Sequence, residues 1–300
     1  MIPGRRGLRP RLDRARGRAT RRSLRRPRVT VIIPTYNWST VLPYSIASVI
    51  DQTMDDLELW VIGDGCTDDS EVVVRDIDDP RVRWHNLPSN TRSQAGPNNE
   101  GLRRARGEFV AYLGHDDLWL PQHLELLTVA VDAGAPFAFG RQLRVDPGRS
   151  PYVWPPVWWH YQAGEWISPS SVVHRPESAT RVGGWRFPDV CGAVDPEADL
   201  WARCAERFGS PMAIDAVTSV KLPACLRQGV YRERPCDEQV DWLARIRAIP
   251  DADLFVRAAC AGPDTAARYR ADNVPPEFLG EAAATGLERH HIGRRFKGLD

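Results

Sequence analysis

Four short apolar runs, each closed by polar residues and separated by stretches of helical character, constrain this chain more than any other feature. Val29-Thr30-Val31-Ile32-Ile33 is rich in β-branched residues and short enough to be a strand buried on both faces. Residues 57–62 and 82–87 repeat the pattern, and the run 109–113, bounded by Gly107 and Gly114, completes it. Between these runs lie a predicted helix over 39–51 capped by Ser39 or Thr40, a second entered through Thr67 or Asp68, and a third through Asn99 and Arg106. Strands alternating with helices predict an α/β fold with a largely parallel sheet and crossover helices. Ligands of such sheets bind beyond the carboxyl ends of the strands. Pro34-Thr35-Tyr36, Asp64 and His115-Asp116-Asp117 all fall at that edge. Three polar clusters on one edge favour a binding cleft over three unrelated helix caps.

The chemistry of these clusters narrows the ligand. Two adjacent carboxylates after a buried strand are costly unless positive charge neutralises them. A divalent cation carrying a phosphorylated ligand would do so; otherwise one Asp caps the next helix, opened by Pro121, and the other is solvated. Tyr36 can stack a base while Asp64 accepts its N–H, or it can be a half-buried structural ring. Arg92, in the loop 88–97, either meets phosphate or is solvated. The chain has no G-x-G-x-x-G after its first strand, no G-x-x-x-x-G-K-[ST] and no G-x-S-x-G, which removes dinucleotide-dependent oxidoreductases, P-loop NTPases and serine hydrolases of that type.

Composition bounds the setting. A 42% hydrophobic and 26% charged chain of 300 residues is an ordinary globular protein with a sizeable core. No apolar run approaches the roughly 20 residues of a membrane span, and residues 1–28 lack the apolar core of a secretory signal. Six cysteines without a C-x-x-C pair fit a reduced chain, so a cytoplasmic location is expected. The net charge of +1 hides an asymmetry, because residues 1–28 hold twelve arginines and one acid. That arm is expected to be disordered in isolation and suits nucleic acid, anionic lipid or a polyanionic glycan, unless it is an extension without function. Arginine outnumbers lysine by 38 to 2, which fits GC-rich coding.

From Arg141 the alternation stops. Tyr152, Trp154, Trp158, Trp159, Tyr161 and Trp166 crowd a proline-rich stretch, either as a wall for a sugar face or as packing within an irregular loop. A strand is predicted over 167–175, a cluster of acids follows at Asp195, Glu197 and Asp199, and a late strand is expected over 213–221. Residues 238–249 and 252–261 have helical character, and one more helix is expected between 275 and 290. These C-terminal helices would pack on the domain or support a homodimer.

Val-Thr-Val-Ile-Ile-Pro-Thr-Tyr-Asn (29–37), Asp-Gly-Cys-Thr-Asp-Asp-Ser (64–70), Asn-Glu-Gly-Leu-Arg-Arg-Ala-Arg-Gly-Glu-Phe (99–109) and His-Asp-Asp (115–117) together resemble the family 2 glycosyltransferases of the GT-A fold, over about 29–208. The resemblance implies an inverting transfer from a nucleotide-diphosphate sugar donor to a glycan or other hydroxyl-bearing acceptor, with a divalent cation, Mn or Mg. It implies that Pro34, Thr35, Tyr36 and Asp64 hold the nucleoside, that Asp116 contacts ribose or sugar, and that Asp117 binds the cation. The strand before Arg175 would bring His174 toward the metal or diphosphate. The family's Glu-Asp-x-Asp-Leu-Trp-x-Arg, anchored here on Asp199-Leu200-Trp201 and Arg203, places Glu197 where the base Asp stands. The base therefore remains among Glu197, Asp199 and Asp195, and a catalytically inactive nucleotide-sugar-binding protein remains the alternative. Nucleotidyl transfer on this fold would ask for a basic loop after the first strand, and residues 34–40 hold no Lys or Arg. The expected organisation is an arm over 1–28, a GT-A domain over 29–223 and a mainly helical extension over 224–300.

Overall fold

The computed structural model describes residues 26–156, 159–192, 194–261, 294 and 297–299. Most of the arginine-rich arm, Trp158 and the helix expected between 275 and 290 lie outside the described residues. Strand β1 (Val29–Thr35) runs through the middle of the parallel part, flanked by β2 (Leu57–Gly63) and β4 (Phe109–Tyr112), with β3 (Val82–Asn86) beyond β2. All three of these pairings are parallel, as the alternation predicts, and Val29 stands in register with both Leu57 and Phe109. Helices α1 (Leu42–Ile50), α2 (Ser70–Arg75) and α3 (Ala95–Arg104) make the crossovers.

The two-residue period of a strand sorts the apolar side chains between two cores. Val29, Val31 and Ile33 of β1 join Leu42, Ile46 and Val49 of α1 and the buried side of α4 (His123–Asp132). Ile32 points the other way, toward Ala95 and Leu102 of α3 and Leu200 and Trp201 of α7 (Pro196–Phe208). The expected caps of α1 do not cap it: its N-cap is Val41, while the Ser39 amide donates to Asp68 Oδ2 at 3.0 Å and Thr40 Oγ1 to the Arg234 carbonyl at 2.9 Å. Both residues are used to join distant segments instead.

Beyond β4 the sheet continues in a way that the alternation does not announce. Strands β5 (Leu118–Trp119), β6 (Phe137–Arg144), β7 (Tyr152–Trp154), β8 (Val172–His174) and β9 (Met212–Lys221) extend it in the order β4-β8-β6-β9-β5, with β7 on β6. β8 is antiparallel to β4 and β6, whereas β6 and β9 are parallel. β6 has no clean period because Gly140-Arg141-Gln142 interrupts it, and the register shifts there. A Cβ on Gly140 would meet Thr218 Oγ1 at 2.3 Å, so this close approach of β6 to β9 requires glycine.

Helices α5 (Pro176–Thr180) and α6 (Pro188–Cys191) lead into α7, and α8 (Val230–Glu233), α9 (Asp237–Ala248) and α10 (Ala252–Ala261) close the described chain's continuous part. Trp242, Leu243, Ile246 and Phe255 share a core with Leu118, Leu143 and Val220 of the sheet. α9 and α10 are therefore packed on the β9-β5 end of the sheet, whereas α8 sits beside the end of β1, Val230 packing on Trp38 and Val41. Trp242→Ala is expected to cost about 3–5 kcal/mol of folding stability, since Trp242 is 0% exposed. Chemical denaturation checks this; a loss under about 1 kcal/mol would mean that the extension contributes little to the fold.

Candidate active site

A cleft of about 480 Å³ opens at the carboxyl edge of β1, β2 and β4. Pro34, Thr35 and Tyr36 line it from the end of β1, Asp64 from the turn after β2, Arg92 from the loop before α3, Asp116 from the turn after β4, and Glu197 from the first turn of α7. Residues spread over more than half of the chain thus meet in one place.

The Asp64 turn is built to hold one carboxylate. The Asp64 amide donates to the Thr35 carbonyl at 2.7 Å, and Asp64 Oδ1 accepts from Thr91 N at 2.9 Å and Thr91 Oγ1 at 2.7 Å. Burial raises the pKa of Asp64, opposed by these bonds and by Arg294. Gly65 turns the chain at φ +69, and a Cβ there would lie 2.3 Å from the Asn90 amide nitrogen. Asn37, also left-handed at φ 47, ties the two turns together by accepting from the Thr67 amide at 2.7 Å.

The neighbouring acids 116 and 117 have separate environments. Asp117 is 0% exposed and does not line the cleft. Its Oδ2 accepts from Lys221 Nζ at 2.8 Å and from Ser170 Oγ, and its Oδ1 accepts from the Leu222 amide at 3.0 Å. Burial works against the Lys221 ammonium, but Asp117 and Asp116 outweigh it and raise its pKa, while burial raises that of Asp117 against the pull of Lys221. Asp117, expected to face a cation, has instead a lysine at the end of β9 as the positive charge beside it. Asp116 is 7% exposed and lines the cleft, and no described residue donates a hydrogen bond to its carboxylate. A carboxylate so buried and without a donor among the described residues is a candidate ligand position on this edge.

His115 is buried between Thr35 Oγ1 at 2.9 Å and Tyr231 Oη at 2.7 Å, and burial pulls its pKa down to about 3, so it is neutral. It braces the turn that presents Asp116. His174 is corrected in the same sense. It is fully buried on β8 against the Tyr112 ring, with Nδ1 2.7 Å from the Arg175 carbonyl, and it does not line the cleft. Burial brings its pKa to about 4, and its environment is that of a packed core histidine.

Among the acids near α7, geometry separates the candidates. Asp199 is paired with Arg203 Nε at 2.9 Å and Arg186 at 3.4 Å, and Arg203 reaches on to the Gly184 carbonyl at 2.8 Å. That network fastens α7 to the preceding turn, and Asp199 does not line the cleft. Glu197 does, at 9% exposure. Trp166 Nε1 donates to its Oε1 at 2.8 Å and Gln94 Nε2 to its Oε2 at 2.7 Å. Burial, with Asp195 adding repulsion, pushes its pKa up to about 7. A carboxylate with this value changes protonation at neutral pH, which suits proton transfer.

Of the crowded aromatic residues, Trp159 and Tyr161 pack on Phe139 and Phe137, while Trp166 lines the cleft and Trp154 is 36% exposed. Sequence reasoning missed Gln94, Lys221, Arg294 and Lys297, all of which line the cleft. A signal for two of them was present: the chain has only two lysines, and both are here. Among the described residues no group of three His, Cys, Asp or Glu forms a metal site by itself, and no helix is long and apolar enough to cross a membrane.

Comparison with known proteins bears on this arrangement. The GalNAc(5)-diNAcBac-PP-undecaprenol beta-1,3-glucosyltransferase of Campylobacter jejuni is 34% identical over 119 residues, covering 39% of this chain and 38% of that protein. The Escherichia coli UDP-Glc:alpha-D-GlcNAc-diphosphoundecaprenol beta-1,3-glucosyltransferase WfgD is 35% identical over 100 residues, 33% of this chain and 38% of that protein. The match thus spans less than two fifths of either relative. Among solved structures, S. aureus TarS 1-349 superposes with a TM-score of 0.55 at 19% identity, over 85% of this chain and 71% of that one. The mannosyltransferase PcManGT of Pyrobaculum calidifontis, in complex with GDP-Man and Mn2+, gives 0.52 at 19% identity over 92% and 88%. These likenesses establish the GT-A fold. The profile of Glycosyl transferase family 2 matches residues 30–180, half of the chain. With that match laid over β1 to α5 and the cleft at their edge, the chain belongs to glycosyl transferase family 2.

Proposed function

We propose that this chain transfers a glycosyl group from a nucleotide-diphosphate sugar to an acceptor hydroxyl, with inversion at the anomeric carbon and Glu197 as the base. The observation that carries this reading is Glu197, a buried cleft carboxylate with both oxygens anchored and a pKa near 7, in the same cleft as Asp116. In the proposed mechanism Tyr36 stacks the base and Asp64 accepts its N–H, with Pro34 and Thr35 shaping the nucleoside end. Arg92 approaches the phosphates from the loop before α3. The acceptor oxygen forms a bond to the anomeric carbon as the bond from that carbon to the diphosphate oxygen breaks. Glu197 takes the hydroxyl proton, and the diphosphate leaves with the bonding electron pair.

The donor set fits a hard divalent cation, Mn or Mg, of which Asp116 would supply one ligand, the substrate phosphates and water providing the rest. Such an ion would neutralise charge growing on the leaving group. With no self-sufficient set of protein ligands among the described residues, its affinity should depend on bound nucleotide. The relatives' names make glycans linked to a lipid diphosphate the first acceptors to screen, with the basic arm as a contact for an anionic surface. The division into a GT-A domain over 29–223 and an extension over 224–300 stays part of this proposal.

Release of nucleoside diphosphate from UDP-, GDP- and dTDP-sugars, with and without Mn2+, tests the reading. Turnover of one donor, lost on chelation, is the expected result. Binding of a donor without turnover under any acceptor or metal would instead identify a catalytically inactive sugar-nucleotide-binding protein.

A further inference from the structure

We propose that the C-terminal end of the chain completes the donor site, with Lys297 and Arg294 gripping the diphosphate of a bound nucleotide beside Lys221. This inference takes its ligand class from the reading above, but its residues come from the geometry of the tail. Arg294, Lys297 and Leu299 all line the cleft that contains Tyr36, Asp64 and Asp116. Arg294 is 6% exposed, and its guanidinium donates to the Arg92 carbonyl at 3.1 Å and the Leu299 carbonyl at 3.0 Å. The tail is thereby fastened both to itself and to the loop before α3. A Cβ on Gly298, at φ +81, would lie 3.4 Å from Gly229 Cα and from Arg232 N, so the tail runs close against the start of α8.

Lys297 is half-buried in the cleft wall, where its charge acts on Asp116, Glu197 and His115. Burial depresses its pKa, and among the described residues none hydrogen-bonds or ion-pairs with its ammonium. A desolvated ammonium without a partner is unfavourable, and an anion bound beside it removes the cost. Lys221 cannot meet that need alone, since it is committed to Asp117 at 2.8 Å. The turn after β1, residues 34–40, contributes no cation at all. A doubly charged diphosphate lying near Asp116 therefore needs positive charge from elsewhere, and the tail brings it. Lysine acts on phosphate as a compact point charge, and the chain keeps its only two lysines on this one cleft despite 38 arginines.

The test is calorimetric titration of the full chain with UDP, GDP and dTDP and with the corresponding monophosphates in Mg2+, for wild type, Lys297→Met and Lys297→Arg. A bond between charged groups corresponds to roughly 10- to 100-fold in affinity. Lys297→Met is expected to weaken the diphosphate that wild type binds by about tenfold or more and to lower the ratio of diphosphate to monophosphate affinity. Lys297→Arg should keep most of it. Equal loss for both nucleotides, or no loss, with an unchanged melting temperature overturns the clamp while leaving the donor reading intact. If wild type binds no nucleoside diphosphate at all, the donor reading itself fails, and the proposed ligand of the tail with it.

Discussion

Replacing Glu197 with glutamine is expected to lower glycosyl transfer by about 10²- to 10⁴-fold, the usual contribution of a positioned general base, while donor affinity stays nearly unchanged. The substitution keeps the shape of the side chain. Gln94 can turn its amide to offer an oxygen to the new NH2, and Trp166 can still donate to the remaining oxygen, so the site should persist. In the wild type the base works only when ionised. With its pKa near 7, kcat/KM should fall on the acid side of about pH 7, and glutamine should abolish that limb along with the activity. The same shift has a stability consequence of opposite sense. An unfolded glutamate titrates near 4.5 and the folded one near 7, so ionising Glu197 costs folding stability as pH rises through that window. The cost above pH 7 is on the order of 3 kcal/mol. Glu197→Gln should therefore be more stable than wild type at pH 8 and closer to it at pH 4. Retained transfer in this variant would move the base to another group, Asp195 being the other acid of that segment that lines the cleft.

Asp116 and Asp117 are expected to give opposite phenotypes although they are adjacent. Asp117→Ala takes the ion-pair partner from the half-buried Lys221 ammonium and the acceptor from the Leu222 amide and Ser170 hydroxyl, which together cost about 3–5 kcal/mol. For a chain of this size that is a fall in melting temperature of roughly 10 °C. Asp116→Asn removes a carboxylate that no described residue uses as a hydrogen-bond acceptor, so the fold should be as stable as wild type or slightly more so. What it should lose is turnover and the part of nucleotide affinity that depends on Mn2+. Thermal melts with donor titrations, with and without chelator, separate the two. A stable Asp117→Ala protein that has lost only metal dependence would return the cation to Asp117.

The different settings of these two neighbours mark what a sequence can carry. The alternation from Val29 to Leu113 follows from local rules: β-branched runs pair, polar residues end them, and the crossovers place those ends on one edge. Tyr36, Asp64 and Asp116 could be placed near one another on that basis, because each sits directly at a strand end, whereas Glu197 was reached through the family resemblance. Which of two neighbouring acids faces a cleft is different in kind. It depends on the tight turn closed by the Asp117 amide on the Gly114 carbonyl at 3.0 Å, and on a lysine 104 positions away. β6 was illegible for a related reason, since Gly140 and Arg141 break its period where it closes against β9.

The sequence by itself determined the α/β class and the edge of the sheet on which Tyr36, Asp64 and Asp116 stand. These follow from spacings within about ten residues, over which periodicity and chain stiffness act. Tertiary structure alone decided which carboxylate is open, which is paired, and which histidines are merely packed. It also decided that Trp166 and Gln94, 31 and 103 positions from Glu197, hold that carboxylate, and that Arg294 and Lys297 reach back to the first β-strand's end. Burial shifts the titration of Glu197, His115, His174 and Lys297, and it is a property of distant segments brought together.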